Sequence, residues 1–151
     1  MQSLSGRHGF SLPELIVSVT VIALLAILSI EAFFSFSKTQ ALDASVSSIV
    51  LALRDARART LAGVAGNQHG VKVESNRYTV FRGSSFAADV ASNEVFMMSS
   101  FVFASSSTDS FVFERVTGNS LASGTIDVYL ASDPATRKTI SVQGTGLVDI
   151  Q

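Results

Sequence analysis

Residues 9–30 read GFSLPELIVSVTVIALLAILSI, and the last sixteen of them, Leu15 to Ile30, carry no charge. Three phenylalanines extend this apolar run beyond Glu31, as far as residue 36. Apolar side chains fall on every side of a helix drawn through the run, so it lacks the polar stripe of a soluble amphipathic helix. Its length approaches the ~20 residues that cross the ~30 Å hydrocarbon core of a bilayer. The run therefore predicts a membrane helix.

The composition excludes most kinds of catalytic or metal site. The chain has 151 residues, the size of one domain. Hydrophobic residues make up 47% and charged residues only 15%, against roughly 25% charged in an average soluble domain. The net charge of −1 gives no overall positive field for nucleic acid, and the absence of Cys excludes disulfides and thiolate chemistry. No spacing of Ser, His and Asp suggests a triad, so we predict no enzyme, no cofactor and no metal.

A short polar leader, MQSLSGRHG (residues 1–9), precedes the apolar run and is mildly basic through Arg7 and the amino terminus. Basic residues before a span favour a cytoplasmic N-terminus, which places residues 38–151 on the far side of the membrane. The alternative is a secretory signal peptide cut near Ser35-Phe36-Ser37. Because the apolar region of such peptides is usually about 7–15 residues long, and Glu31 lies before that point, we favour a retained helix.

The start of the helix combines a capping motif with an unusual junction. Residues 11–14, SLPE, fit the S-x-x-E capping box, in which Ser11 is the N-cap and the Glu14 carboxylate accepts a hydrogen bond from the Ser11 backbone N–H. Pro13 suits the first turn, where the helix dipole also favours a carboxylate. Capping does not explain a leader that ends in Gly9 and is followed at once by Phe10. Both residues are explained if the chain is cut after Gly9, since Phe10 then carries a free amine for Glu14 of a neighbouring subunit.

Residues 9–17, GFSLPELIV, resemble the class III signal of type IV pilins and type II secretion pseudopilins. That signal has a Gly, usually a Phe, a Thr or Ser, two variable residues, a Glu and an apolar helix. The resemblance implies cleavage after Gly9 by a prepilin peptidase, N-methylation of Phe10 and a role for Glu14 as the assembly carboxylate. It also implies a helix packed in a filament core. The implied partners are other pilin or pseudopilin subunits, the inner-membrane assembly platform and, before assembly, the lipid bilayer. Pro13 replaces the commoner Ile or Val, which the first turn tolerates.

The helical pattern continues beyond the apolar run. Apolar residues recur every three or four positions and so share one helix face: Leu42, Val46, Ile49, Leu53 and Ala56. No Gly occurs between Phe10 and Ala62, and Gly63 and Gly66 are stop signals. We therefore predict one helix from Leu12 to Leu61.

After Gly66 the apolar period changes to two, which predicts strands. Val71–Val73 and Tyr78–Phe81 form a predicted hairpin around Ser75-Asn76. Further strands are predicted at residues 95–98, 101–103, 111–116, 125–131, 138–143 and 147–150, with separators at 118–119, 133–134 and 144–146. The predicted fold class is α+β and pilin-like: one long N-terminal helix, membrane-spanning in its first half, packed on a small antiparallel sheet. The predicted domains are the leader (1–9), the transmembrane and filament-core half of the helix (10–37) and the extracytoplasmic head (38–151).

The C-terminal pattern also resembles the minor pseudopilin H and FimT-like subgroup. The matching pieces are Ala56-Arg57, the hairpin 71–82 and the strand pair within 139–148. Some DNA-binding members of that subgroup use arginines that follow a C-terminal Gly, but Leu147 and Asp149 occupy the comparable places here. The remaining candidates for a weak DNA contact are Arg54, Arg57 and Arg59. Asp55 interrupts this cluster, which favours a solvated face or pairing between subunits, so nucleic acid is not a predicted partner.

Other residues are given structural interpretations. His8 leaves with the leader, and His69 is predicted to face solvent at a strand entrance. Asp127 and Asp133 lack the oxygen-rich loop of a Ca²⁺ site. Five phenylalanines are predicted to fill the core, the alternative being that an exposed subset of them forms a filament or adhesive contact: Phe96, Phe101, Phe103, Phe111 and Phe113.

We predict a structural subunit, minor rather than major, held in the bacterial inner membrane and then assembled into a pilus or pseudopilus. The alternative is a DNA-binding minor pilin of a DNA-uptake system.

Overall fold

The computed structural model describes residues 11–87 and 90–151, with every side chain among them except that of Ala32. Helix α1 runs from Leu12 to Leu61 and is followed by a short 3-10 turn, Val64–Gly66. These bounds confirm the predicted single helix. The chain divides into two compact units, one ending at Ser37 and the other comprising Lys38–Gln151, and α1 contributes to both.

The first unit contains the apolar part of α1. Its described side chains from Leu12 to Phe36 are all exposed, with exposed fractions between 49% and 75% for the large apolar residues. The hydroxyls of Ser18, Thr20 and Ser29 each donate to a carbonyl four residues earlier at 2.8 Å. These polar groups are thereby satisfied inside the helix, as hydrocarbon requires. By length and composition, α1 can cross a membrane.

In the second unit α1 has one buried face. The five residues predicted to share that face are at most 2% exposed: Leu42, Val46, Ile49, Leu53 and Ala56. Leu51, between two of these positions in sequence, is 69% exposed. The predicted face is confirmed, because burial follows the 3.6-residue period.

Eight strands occur in the described part of the head: β1 (His69–Val73), β2 (Arg77–Arg82), β3 (Glu94–Met97), β4 (Val102–Ser106), β5 (Phe111–Val112), β6 (Gly124–Leu130), β7 (Asp133–Val142) and β8 (Val148–Ile150). They form two antiparallel sheets, with strand orders β3-β2-β1-β5 and β4-β6-β7-β8. The sequence pattern predicts one small sheet. Alternation along a strand reveals that the strand exists, whereas its pairing depends on residues far away in sequence.

Most strand bounds differ from the prediction by a few residues, and β5 and β7 differ most. β5 has only two residues, and Phe113 forms an isolated bridge with Ser120. β7 begins at Asp133, so the predicted separator at 133–134 lies inside a strand. Pro134 lies where the β6–β7 register shifts, with Leu130 opposite Asp133 but Tyr129 opposite Arg137. An irregular position of this kind accepts a residue that lacks an N–H.

The core of the head joins the buried face of α1 with residues of both sheets. Phe111 and Phe113 are fully buried as predicted, together with Phe81. The prediction is wrong for Phe96 and Phe101, which are 41% and 46% exposed, and Phe103 is half-buried. Phe96 lies on the edge strand β3 and Phe101 precedes β4, so neither has elements on all sides.

Candidate functional site

The start of α1 leaves its acidic side chain accessible. The Leu15 N–H donates to the Ser11 carbonyl at 3.1 Å, so Ser11 is the N-cap residue. Glu14 lies in the first turn and is exposed. The side-chain bonds of the predicted capping box are not among the hydrogen bonds of residues 11–87 and 90–151, and the Glu14 carboxylate has no ion pair within that part of the chain. Its carboxylate is available to a group supplied from elsewhere.

The predicted processing junction lies outside the described residues. Gly9, Phe10 and the rest of the leader belong to residues 1–10. Cleavage after Gly9 and methylation of Phe10 therefore stay predictions from the sequence motif.

Two arginines of the predicted basic face bind backbone carbonyls that are distant from them in sequence. The Arg57 Nε donates to the Gly118 carbonyl at 2.9 Å, and its Nη2 donates to the Thr145 carbonyl at 3.3 Å. Arg54 donates to the Val148 carbonyl at 3.3 Å. Arg57 thus connects α1 to two turns and Arg54 connects it to strand β8, so both side chains stabilise the head.

Two glycines allow those turns to meet beside Arg57. Gly118 and Gly146 have φ of +68° and +76°, a conformation that L side chains rarely adopt. A Cβ at Gly146 would collide with the Gly118 carbonyl oxygen and lie 2.9 Å from the Arg57 Nε. The sequence marks both glycines as turn residues, but their approach to Arg57 is a tertiary feature.

The third arginine is neutralised by acidic residues. The Arg59 guanidinium donates to both carboxylate oxygens of Glu94, at 2.5 and 3.3 Å, and lies 2.8 Å from the Asp55 carboxylate. These contacts raise the pKa of Arg59, with the Glu94 hydrogen bond the largest cause. Arg54, Arg57 and Arg59 therefore do not form a continuous basic surface for phosphates.

His69 is buried, so the prediction that it faces solvent is wrong. It is 5% exposed because β1 is an inner strand between β2 and β5. Its backbone N–H donates to the Thr60 Oγ1 at 2.9 Å, and that hydroxyl donates to the Ala56 carbonyl at 2.8 Å. Burial lowers the pKa of His69, and the positive charges of Arg59 and Arg82 lower it further. The strand order that buries it was not readable from the sequence.

The two aspartates considered for Ca²⁺ make separate local hydrogen bonds. Asp127 accepts from the Thr139 hydroxyl at 2.6 Å, and Asp133 accepts from the Thr136 hydroxyl at 2.7 Å. Within the described ranges, no three His, Cys, Asp or Glu side chains cluster as metal ligands do.

Comparison with known proteins gives one family motif and several similar folds. Residues 4–30 match the family described as the prokaryotic N-terminal methylation motif. No curated protein matches the chain. The type IV minor pilin FimU of Pseudomonas aeruginosa superposes with a TM-score of 0.60 at 10% identity, over 77% of this chain and 92% of FimU. The minor pseudopilin EpsH from the type 2 secretion system of Vibrio cholerae superposes with a TM-score of 0.56 at 12% identity, over 72% of this chain and 94% of EpsH.

At these identities the structural likeness concerns the fold, which confirms the predicted α+β pilin-like class. The match to the methylation motif is a separate observation from the structural likeness, because it rests on the sequence of residues 4–30, which lie at the opposite end of the chain from the sheets. The chain therefore combines a prokaryotic N-terminal methylation motif at residues 4–30 with a pilin-like fold.

Proposed function

We propose that the chain is a minor subunit of a type IV pilus or a type II secretion pseudopilus. The observation that carries this proposal is the first unit, whose described side chains from Leu12 to Phe36 are all exposed and largely lie within the matched methylation motif, residues 4–30. An apolar helix exposed in this way needs lipid or other helices around it. The two relatives above are both named as minor subunits, one of a pilus and one of a secretion system, which supports a minor role.

In this proposal a prepilin peptidase cuts after Gly9, and the new amino terminus of Phe10 is methylated. The helix holds the subunit in the inner membrane, with the leader in the cytoplasm and the head (residues 38–151) outside it. The basic leader supports this orientation, because positive residues are retained on the cytoplasmic side. An assembly platform in the same membrane then extracts the subunit.

Assembly exchanges lipid for neighbouring helices around the apolar run. Glu14 would then lie in an apolar surrounding, where an unpaired carboxylate costs several kcal/mol. Pairing with the Phe10 amine of a neighbouring subunit removes that cost only when the two helices are in the correct axial register. The unpaired state of Glu14 in the described chain supports this role.

The maturation step is tested by mass spectrometry of the protein from its native host. We expect a chain that begins at Phe10 and carries an added methyl group on its amine. Gly9→Leu is expected to block cleavage by crowding the junction. A mature chain that begins near Lys38 would instead establish a secretory signal peptide and contradict the proposal.

The assembly step is tested by Glu14→Ala, with Glu31→Ala as the matched control. Both variants remove one exposed carboxylate from the apolar part of α1, so membrane insertion and leader removal are expected to be normal in both. Incorporation into filaments, measured by immunoblotting of sheared filaments, is expected to fall strongly only for Glu14→Ala. Equal incorporation of the two variants would contradict the role of Glu14.

A DNA-binding minor pilin remains the alternative function, and the contacts of the arginines do not favour it. Arg57 and Arg54 bind carbonyl oxygens, and Arg59 is paired with Glu94 and Asp55. Salt-dependent DNA binding by the head, lost in a triple Arg54, Arg57 and Arg59 variant that still folds, would support this alternative.

A further inference from the structure

A cavity of about 200 Å³ lies in the head beside the C-terminal end of α1. Arg59 of α1, His69 of β1, Arg82 of β2 and Glu94 of β3 line it, together with Ala65 and Ser92. Elements from across one sheet therefore converge on a single polar cavity. It is separate from the apolar run and from the predicted processing junction in sequence, and the proposed assembly function makes no use of it.

Two buried polar atoms at this cavity have no hydrogen-bond partner. They are the His69 Nδ1 and the Ser92 Oγ, which are the two buried side-chain polar atoms without a partner in residues 11–87 and 90–151. Native proteins satisfy the large majority of buried polar atoms, so each exception calls for a partner that the isolated chain does not supply. Both exceptions occur on residues that line the same cavity.

The backbone beside the cavity is also unusual. Ala65 has φ of 53° and ψ of 17°, and within the described ranges it is the one non-glycine residue with positive φ. Such conformations are uncommon for residues with a Cβ and concentrate at ligand sites and switch regions. Its neighbours Gly63 and Gly66 adopt similar values without strain.

The polar groups of the cavity are mainly hydrogen-bond donors. Arg82 contributes a guanidinium that has no ion pair in the part of the chain that the structure describes, while Ser92 contributes a hydroxyl. The lining carboxylate, Glu94, is already bound to Arg59. A planar acceptor with negative charge matches guanidinium and hydroxyl donors best.

We infer that this cavity is a binding site for a carboxylate group, held by Arg82, Ser92 and the ring of His69. The carboxylate belongs either to a small organic acid or to an acidic side chain of a neighbouring subunit. A cation is disfavoured because two guanidinium groups line the cavity.

The charges around His69 predict how binding responds to pH. The groups that act on it are Arg59 and Asp55 from α1, Arg82 from β2 and Glu94 from β3. Burial and the two arginines lower its pKa, and a bound carboxylate would add a negative charge that stabilises the protonated ring. Binding and protonation of His69 should therefore reinforce each other.

The test uses the full chain in detergent micelles, with sodium acetate as the probe and sodium chloride to hold the ionic strength constant. The ring signals of His69 are followed by NMR and assigned with His69→Gln. We expect acetate to shift these signals and to raise the pKa of His69. Arg82→Gln should weaken acetate binding by at least about tenfold, the effect of losing a charge-assisted hydrogen bond.

The matched control is Arg77→Gln, which removes the other arginine of β2; Arg77 pairs with Glu74 and does not line the cavity. It should leave acetate binding unchanged, and Ser92→Ala should weaken it even if Arg82→Gln fails to fold. A shift that grows with protein concentration, without acetate, and disappears in Arg82→Gln identifies a carboxylate of a neighbouring chain. No response of the parent chain to either variable, or responses of Arg82→Gln and Ser92→Ala equal to that of the parent chain, would overturn the proposal.

Discussion

Replacing Arg57 distinguishes a structural arginine from one that binds DNA. In the head its guanidinium donates to the Gly118 carbonyl at 2.9 Å and to the Thr145 carbonyl at 3.3 Å. Both acceptors lie in turns more than 60 residues away in sequence. Arg57→Ala leaves these carbonyls without their donor and separates the turns from α1. We expect this variant to unfold more easily than the parent.

The size of the effect follows from the two hydrogen bonds. A hydrogen bond to a charged group contributes about 1.5–3 kcal/mol, and a long, exposed one contributes at the lower end or below. The shorter, partly buried bond to Gly118 dominates, so we expect a loss of about 2–3 kcal/mol of unfolding free energy. Arg54 makes one bond of 3.3 Å from an exposed side chain, so Arg54→Ala should cost less than about 1 kcal/mol.

The assay is urea unfolding of residues 38–151, followed by circular dichroism. With an m-value of about 1–3 kcal/mol/M, Arg57→Ala should lower the midpoint by about 0.7–3 M. DNA binding by the same samples is measured by fluorescence anisotropy. If Arg57→Ala changes stability by less than about 0.5 kcal/mol, the usual range for surface substitutions, or if it costs no more than Arg54→Ala, the structural role is wrong.

Two further predictions concern the buried face of α1 and the buried histidine. Leu53→Ala should lower the free energy of unfolding by about 2.7–5 kcal/mol because it empties a fully buried site. Leu51→Ala, at a position 69% exposed, should change that free energy by at most about 0.5 kcal/mol. Equal urea midpoints for the two variants would refute the assigned face. The folded head holds the pKa of His69 below its ordinary value of 6.5. On acidification the unfolded chain therefore binds a proton at His69 before the folded chain does. The contribution of His69 to the free energy of unfolding is complete above pH 6.5 and should decline as the pH falls below that value. Urea midpoints measured across that range should show this decline, and His69→Gln should remove the part due to His69. Midpoints of the parent and of His69→Gln that change with pH along the same slope would contradict the assignment.

The sequence alone predicts the long helix, the all-round apolar surface of its first half, the single apolar face of its second half and most strand positions. These features depend on neighbours three, four or two positions away, so the residue pattern carries the information directly. The apolar run of Leu15–Ile30 and the face that contains Ile49 and Leu53 were readable in this way. The class III signal was readable for the same reason, since its elements are consecutive in sequence and the motif match spans only residues 4–30.

Strand pairing, by contrast, was decided by the tertiary structure. Two sheets replace the predicted single sheet, because each strand's partner is chosen by contacts across the core. The same contacts bury His69 on an inner strand and leave Phe96 exposed on an edge. Alternation of residue types along a strand does not specify the position of that strand within its sheet.

The candidate sites divide along the same line. Glu14 and the Gly9–Phe10 junction are properties of a short segment, and the sequence was sufficient to propose them. Arg57 appears in the sequence only as one of three nearby arginines, and its role depends on Gly118 and Thr145, which reach it only after folding. The cavity beside His69 is likewise assembled from a helix, a turn and three strands. Local pattern was sufficient to predict a membrane anchor, while the long-range packing of the head decided which polar groups of the described residues are satisfied and which lack a partner.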